Sequence, residues 1–533
     1  MKNLWHKIKQ VWAKHPDTCI IIVLFTLARG LMLFNNGLYW DDWTTYKVDR
    51  SFIWQHFREA GIPLKGLIHI LLRDCPIAYR WVVFFSFLAS AFLLNKVLKG
   101  IKELPATDRL FVILFFVLLP YNHAMISTNI APQMVCHLLF FVGVFFLNRF
   151  ILEKKWSDQA VSLIAFLFSF QLLSFVIFYF SIFILIAYHE KIFPKLTGSW
   201  KRLQKYTAFG ILPFFYYFGI KKIFLEPTGI FEGYHNMPAK NFSIYHYNMV
   251  DSLRVNFIAP IQEIFKADHS GIVNYYYYFI IAIVIAYSLL RRRDIEEQKY
   301  IGRFLGAGWL MYLFGIIPYM LGKDNYLAAG WYTRYQVHLS LGAAFMLYFS
   351  LKWVFQEFKL NKRLFSFILS VLVAGFLVSN ILNCFYFQRD WVKKLALIEH
   401  FRYNQAIINN TTFLIVDETS GTNVLGENYR GYEYTGVLNK TFDYDQKRAA
   451  IVSGGWELGP LVLEEHVQAF KDNRVQLNLR NYEMKPPVQI FIAEQKAITF
   501  PRAYMILLCE IFSKKNYTER LTSFFDVEVK PLR

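Results

Sequence analysis

The chain contains a series of apolar runs, each about as long as a lipid bilayer is thick. After a lysine-bearing opening segment, 1–17, and a first run, further runs are centred near residues 88, 115, 142, 215, 282, 313, 346 and 376. A hydrocarbon core of about 30 Å is crossed by roughly 20 helical residues. The 55% of hydrophobic residues exceeds what a soluble core requires. The sequence therefore predicts an α-helical polytopic membrane protein.

The formal net charge of +19 has two interpretations, nucleic-acid binding and membrane topology. The basic residues cluster in short segments between apolar runs, as they do in cytoplasmic loops of membrane proteins. Topology explains the charge adequately, so no nucleic-acid partner is expected.

Region 160–190 decides the predicted topology, because it forms either one long helix or two short ones that turn near Gln171 and Ser174. With a hairpin, the loops on the side of the N-terminus are much richer in Lys and Arg than the opposite loops. A single helix would instead place Arg291, Arg292 and Arg293 among the basic-poor loops, against the positive-inside tendency. We therefore predict about eleven spans, with the N-terminus cytoplasmic and the C-terminus extracytoplasmic.

The predicted organisation is a membrane module, 1–386, followed by an extracytoplasmic domain, 387–533. The latter is richer in charge and contains short apolar runs such as Phe413–Val416 and Val488–Ile492, typical of an α/β or α+β fold. Two predicted outer loops stand out, the first at 37–80 and a long one at 221–273. Five scattered cysteines show no paired metal-ligand spacing, so neither a metal cluster nor a disulfide framework is expected.

Asp41 and Asp42 follow the first span in the aromatic stretch 38–43, and they are the strongest catalytic candidates. Carboxylates are costly near a membrane and tend to persist there with a partner or a function. The alternative is that the pair binds interface cations or caps a loop helix. Further along the loop, Leu64, Leu67, Ile68 and Leu71 have the spacing of an amphipathic helix, which either lies in the interface or packs on the bundle.

The acidic pair followed by Tyr46 resembles the first outer loop of the GT-C superfamily of integral-membrane glycosyltransferases, in its protein mannosyltransferase and aminoarabinose transferase branches. In that superfamily the acidic pair is often Asp-Glu, whereas this chain has Asp42 in place of the more usual Glu. A multi-span module followed by a soluble tail is similar too. The resemblance implies transfer of a sugar from a polyprenyl-phosphate donor to a hydroxyl of a cell-surface glycan, lipid or protein.

The resemblance assigns a role to several residues. Asp41 is expected to act as the general base, with Asp42 orienting the acceptor or raising the proton affinity of its neighbour. Arg334, Lys323 and Arg29 are candidates for the donor phosphate; Arg334 and Lys323 alternatively snorkel to the interface, and Arg29 alternatively pairs with a carbonyl in the bundle. Candidates for substrate binding, against ordinary loop hydrogen bonding, are Tyr46, His123, Gln171, His235 and Tyr335.

No metal or other cofactor is expected, and the composition favours a bacterial cell membrane. Three other functions remain open: a flippase or transporter of lipid-linked saccharides, a polymerase or ligase of surface polysaccharide, and a membrane scaffold that binds a partner. No repeated halves of the kind found in many transporters are visible in the sequence. The scaffold interpretation leaves the interface carboxylates unexplained.

Overall fold

The computed structural model describes residues 2–120, 122–191, 200–232, 249–265, 275–291, 293, 295–322, 330–442, 449–452 and 485–531. Six helical stretches among these residues are long and apolar enough to cross a membrane, as expected for a helical membrane protein. They are Pro16–Phe34, Pro76–Leu98, Thr128–Glu153, Ile301–Met320, Leu339–Glu357 and Lys362–Tyr403.

The described helices are numbered here in chain order. Those of the first half are α1 (Lys2–Lys14), α2 (Pro16–Arg29), α3 (Arg50–Glu59), α4 (Pro63–Leu72), α5 (Pro76–Leu98), α6 (Ala106–Leu118), α7 (Ala131–Glu153), α8 (Trp156–Ser169), α9 (Ser174–Phe178), α10 (Ile182–His189), α11 (Trp200–Leu203), α12 (Thr207–Phe214) and α13 (Lys222–Phe224). Those of the second half are α14 (Ala259–Phe265), α15 (Tyr275–Leu290), α16 (Ile301–Gly322), α17 (Leu339–Glu357), α18 (Lys362–Tyr403), α19 (Gln405–Ile408), α20 (Gly431–Thr441), α21 (Phe500–Phe512) and α22 (Lys514–Thr522).

The predicted count of eleven spans is not reached, since only six described helices qualify. The predicted spans near residues 115 and 282 are helices of 13 and 16 residues, and the run near 215 is interrupted. Pro213 lies inside α12, where it removes a backbone donor, and the next seven residues, Phe215–Lys221, form a π-helix. Apolar length alone overestimated how many of these runs form one unbroken helix.

Region 160–190 folds as α8, α9 and α10, separated by a turn at 170–173 and a 3₁₀ segment. The predicted break near Gln171 and Ser174 is therefore present. Each resulting helix is shorter than a full crossing, because α8 has 14 residues, α9 has five and α10 has eight.

Helices α16 and α17 approach so closely that only glycine fits between them. A Cβ atom at Gly342 would lie 2.5 Å from the Tyr312 backbone nitrogen and 2.9 Å from the Gly308 carbonyl oxygen. Small residues of this kind permit tight contact between membrane helices.

A buried ion pair joins α17 to α6. The Lys352 ammonium bonds both carboxylate oxygens of Asp108 at 2.6 Å.

The C-terminal part contains a four-stranded mixed sheet in the order β2-β1-β3-β4, built from β1 (Thr412–Asp417), β2 (Ala449–Val452), β3 (Val488–Glu494) and β4 (Phe525–Pro531). Strand β1 pairs in parallel with β2 and β3, and β3 pairs antiparallel with β4. The two apolar runs singled out in the sequence are β1 and β3, which confirms that they form strands.

Helix α18 connects the bundle to this sheet without a break. Its 42 residues span about 63 Å at 1.5 Å per residue, and the helix runs straight through position 387, where the domain boundary was predicted. Its outer portion is buried under the C-terminal part, where Lys393 bonds Asp417 at the end of β1 at 2.6 Å. One rigid element therefore belongs to both parts of the chain.

Lys394 occupies the centre of this junction. Its ammonium lies 2.9 Å from Asp390 on the same helix and 3.6 Å from Glu433 on α20, and it donates to the Leu38 carbonyl oxygen at 3.0 Å. Tyr429 completes the group by donating to Asp390 at 2.5 Å. The contacts join α18, the first outer loop and the C-terminal part.

Replacing Lys394 with Met should destabilise the fold strongly, because two buried carboxylates would lose their cation. Breaking a buried pair in this way costs about 3–5 kcal/mol. The measurement is the thermal unfolding midpoint in detergent. Lys530→Met is the control, since Lys530 and its partner Glu528 are 52% and 59% exposed, where an ion pair contributes about 1 kcal/mol or less. Equal midpoints for the two variants would contradict this role.

Candidate functional site

The first outer loop folds into a short 3₁₀ helix, Trp40–Thr44, that begins with a strained residue. Trp40 has φ of 49°, a left-handed conformation that is uncommon for a bulky side chain. Its ring is held by Trp331 and Phe387, at centroid distances of 5.6 and 5.4 Å. Such strain persists only where the surroundings fix it, so the backbone at Asp41 and Asp42 is firmly placed.

Asp42 points into the protein and is fully buried. Its Oδ1 accepts hydrogen bonds from Ser127 Oγ at 2.5 Å and from the Thr128 amide and hydroxyl at 2.9 and 2.8 Å. Its Oδ2 accepts from the Tyr39 amide at 3.1 Å, with the Arg80 guanidinium 3.8 Å away. These contacts tie the first outer loop to the start of the third spanning helix.

Burial raises the pKa of Asp42 above its ordinary value, although Arg80 and the hydrogen-bond donors oppose that shift. The side chain has little room for a substrate, because both oxygens are occupied by the protein. The contacts of Asp42 are those of an anchor that positions the loop, and the catalytic role proposed for it from the sequence remains a prediction.

Asp41 points the other way and remains partly exposed. Its Oδ1 accepts a hydrogen bond of 3.1 Å from the hydroxyl of Tyr432, which lies at the start of α20. Thr44 fixes the backbone by donating to the Asp41 carbonyl oxygen at 2.7 Å. Of the two adjacent carboxylates, Asp41 is the one that a ligand can reach.

Helix α20 packs against the first outer loop. Gly436 packs on Trp43, and a Cβ atom at that position would collide with the indole ring. One turn further on, Lys440 donates to the Tyr46 hydroxyl at 3.0 Å. The buried Tyr46, predicted to bind substrate, thus contacts the C-terminal part of the chain.

Lys65 brings a cation to the same site. Burial lowers the pKa of Lys65 to about 8; the positive charge of Arg334 lowers it further, and the negative charge of Asp41 opposes the shift. The ammonium lies 5.3 Å from the centre of the Phe57 ring. Lys65 was not singled out in the sequence, where the signal was a single lysine on the otherwise apolar helix α4.

Arg334 lies in a 3₁₀ segment, Gly330–Gln336, at the approach to α17. Its guanidinium donates to the Trp331 carbonyl oxygen at 3.2 Å and stacks 4.2 Å from the centre of that indole ring. Thr333 accepts from the Ala124 amide at 2.8 Å, which fixes the segment against the 3₁₀ turn His123–Ile126. Arg334 and Asp41 both lie within electrostatic reach of Lys65, because the charge of the first lowers the pKa of Lys65 and that of the second raises it.

Arg29 has a different environment. It is buried, and its guanidinium donates to the carbonyl oxygens of Val117 and Leu119 at 3.4 and 3.5 Å, where α6 ends. Asn380 donates to the intervening Leu118 carbonyl at 2.7 Å. The C-terminal carbonyls of a helix lack partners within it, so Arg29 caps α6, which favours the structural alternative for this residue.

The other predicted substrate residues are only partly placed. His123 is half-buried in the turn that contacts the Arg334 segment, and Gln171 lies in the turn between α8 and α9, with no hydrogen bond to its buried Oε1 from the part of the chain that is described. Tyr335 belongs to the Arg334 segment. Lys323 and His235 lie outside the described residues.

The described ranges contain no group of three or more His, Cys, Asp or Glu side chains placed to hold a metal ion. The groups described at the site are one accessible carboxylate, two cations and a tyrosine hydroxyl.

Tyr432 was also missed from the sequence. It comes from the tyrosine-rich stretch Asn428-Tyr429-Arg430-Gly431-Tyr432-Glu433-Tyr434, which reads as an ordinary polar segment of the C-terminal part. Only the fold brings it to Asp41, which lies 391 positions earlier in the chain. The tyrosine density was the signal that sequence reasoning left unused.

Asp42→Asn should lower stability by about 1–3 kcal/mol, because an amide nitrogen would face buried donors in place of a carboxylate oxygen. The same change at the accessible Asp41 should leave stability nearly unaltered. Thermal unfolding of the two variants in one detergent compares them directly. Equal loss of stability at both positions would show that Asp42 is not the anchor of this loop.

No protein-family model matches the chain, and no curated protein matches it in sequence. The geometry around Asp41 therefore carries the functional argument.

Proposed function

We propose that the protein is a membrane glycosyltransferase that moves a sugar from a polyprenyl-phosphate donor to a hydroxyl group of a glycan, lipid or protein. The observation that carries the proposal is the grouping of one accessible carboxylate, Asp41, with the cations of Lys65 and Arg334. This grouping lies where the first spanning helix ends, on the segment that carries the short helices α3 and α4.

The two cations suit the leaving group. When the bond between the anomeric carbon and the phosphate oxygen breaks, its electron pair stays on the phosphate, whose negative charge grows. Fixed positive charge aimed at a developing anion is among the strongest catalytic effects known in enzymes. Arg334 offers a planar, bidentate donor set, and Lys65 offers a compact charge. The Trp331 ring limits the directions that the Arg334 guanidinium can take.

Asp41 suits the acceptor. A carboxylate within reach of an acceptor hydroxyl can take its proton as the oxygen forms a bond to the anomeric carbon. The Tyr432 hydroxyl holds one oxygen of Asp41, which leaves the other for the acceptor. Attack on the face opposite the departing phosphate would invert the configuration at that carbon.

The accessible face of α4 suits a lipid donor. Leu67 and Leu71 are exposed on this helix, 45% and 72% respectively, while Lys65 on the same helix is drawn into the site. A helix with exposed apolar side chains on one face and a basic side chain on another is suited to lie at a bilayer surface. The polyprenyl chain would remain in the membrane while its phosphate reaches Lys65 and Arg334.

Asp41→Asn should reduce transfer by about 100-fold or more, because the base is lost, and should leave the fold intact. The measurement is release of polyprenyl phosphate from labelled polyprenyl-phosphate hexoses by purified protein, with membrane extract as acceptor. Asp49→Asn is the matched control, since it makes the same change at an exposed position of the same loop.

Full activity of Asp41→Asn would eliminate Asp41 as the base. If wild-type protein released no polyprenyl phosphate from any donor but moved donors across vesicle membranes, the flippase interpretation would replace the transferase.

Lys65 gives the proposal a pH signature. Because the pKa of Lys65 is lowered to about 8, its cation is present below that pH and is lost as the pH rises through it. We expect kcat/KM for the donor to fall above about pH 8 in the wild type. Lys65→Arg should remove this fall, because guanidinium stays charged, and Lys65→Met should lower kcat/KM about tenfold to a hundredfold at neutral pH.

The pH profiles of kcat/KM for the wild type, Lys65→Arg and Lys65→Met test whether Lys65 binds the donor phosphate. An unchanged profile in Lys65→Arg, or normal kcat/KM in Lys65→Met, would remove Lys65 from the phosphate site while leaving the role of Asp41 to its own test.

A further inference from the structure

Helix α21 in the C-terminal part has an exposed stripe of apolar side chains, which begins beside the exposed Arg502 of its first turn. Met505, Leu508 and Phe512 follow one another at intervals of three and four residues, which places them on one side of the helix. They are 46%, 57% and 80% exposed. The opposite side carries Ala503 and Ile506, which are buried in the core. This helix thus has two apolar faces, of which the protein covers one.

The start of α21 is fixed against the bundle. The Phe500 ring lies 5.5 Å from that of Phe385 on α18 and 6.5 Å from that of Tyr278 on α15. Nearly one turn later, the Gln388 side-chain amide donates to the Ala503 carbonyl oxygen at 3.4 Å. The first turn of α21 therefore lies beside residues 385–388 of α18.

Residues 385–388 follow the stretch of α18 that is long enough to cross a bilayer. Helix α18 starts at Lys362, and about 20 residues suffice to cross the hydrocarbon core. The crossing would end near residue 382, just before the aromatic and then charged stretch in which Phe385 and Gln388 lie. Aromatic side chains are typical of the boundary between hydrocarbon and head groups.

The exposed apolar face continues an apolar surface of the bundle. Helix α15 packs along α18, where the rings of Tyr287 and Phe367 lie 6.1 Å apart, and it exposes Ile280 and Val284 on its outer side. Tyr278, at the outer end of this surface, is the residue that contacts Phe500. An exposed apolar surface of this kind is suited to contact with lipid, and α21 begins where that surface ends.

We propose that α21 is an interfacial membrane anchor whose Met505, Leu508 and Phe512 side chains insert among the lipid head groups on the Asp41 side of the bilayer. Apolar side chains on one face of a helix that lies in the interface plane are the usual means of such attachment. The anchor is independent of the proposed reaction.

The experiment uses the full-length protein in lipid nanodiscs, with p-benzoylphenylalanine in place of Phe512. Photolysis should attach phospholipid to this position, detected as one lipid mass on the peptide that contains it. Phe85 is the positive control, because it is an exposed phenylalanine on a spanning helix. Asp526 is the negative control, because it is an exposed residue on strand β4.

Lipid attachment at 512 and 85, and none at 526, would support the anchor. Attachment at 85 alone would overturn it, and so would a covalent link between two copies of the chain through position 512, which would identify a second copy as the occupant of the face. A second measurement needs no substitution: a photoreactive phospholipid should label the α21 peptide of the wild-type protein, and failure to do so while labelling α15 would also overturn the proposal.

Discussion

The buried ammonium of Lys394 is the contact on which the arrangement of the site depends. It meets two carboxylates, one on its own helix and one on α20, and a carbonyl oxygen of the first outer loop. Removing charges from water is costly unless geometry and hydrogen bonds compensate. Here the cost is compensated only when α18, α20 and the first outer loop all contact the Lys394 ammonium. The C-terminal part and the loop therefore depend on each other for their positions.

The two adjacent aspartates illustrate how neighbouring residues of one type acquire different tasks. The strained Trp40 turns the backbone, so that Asp42 is enclosed by Ser127 and Thr128 while Asp41 faces outward. Because both oxygens of Asp42 are bonded to the protein, the loop that carries Asp41 is held in place. A pre-positioned group needs less reorganisation during a reaction, which gives the buried residue an indirect part in any chemistry of its neighbour.

Sequence reasoning predicted the helical membrane class and strands β1 and β3, because apolar length and strand-like runs are local signals. It overestimated the spans where Pro213 and a π-helix interrupt an apolar run. Asp41 and Arg334 were predicted as site residues because both follow or precede apolar segments, and their roles remain predictions. Lys65 and Tyr432 were missed, since their importance arises from contacts between distant segments, which composition and spacing do not encode.

The unbroken course of α18 has a consequence for the behaviour of the protein in bilayers of different thickness. Spanning helices adapt to thickness by tilting. Besides the contact of Lys394, Gln388 of this helix receives a hydrogen bond of 3.0 Å from Asn35, just before the first outer loop, and the Phe387 carbonyl receives one of 2.7 Å from Tyr39 in that loop. The same loop is also bonded to the start of the third spanning helix through Asp42, and its Trp40 ring packs on Trp331 near Arg334. When α18 tilts, these contacts require the neighbouring helices to tilt with it. A change in bilayer thickness would therefore alter the inclination of the bundle as a whole and keep the arrangement of Asp41, Tyr432 and Arg334.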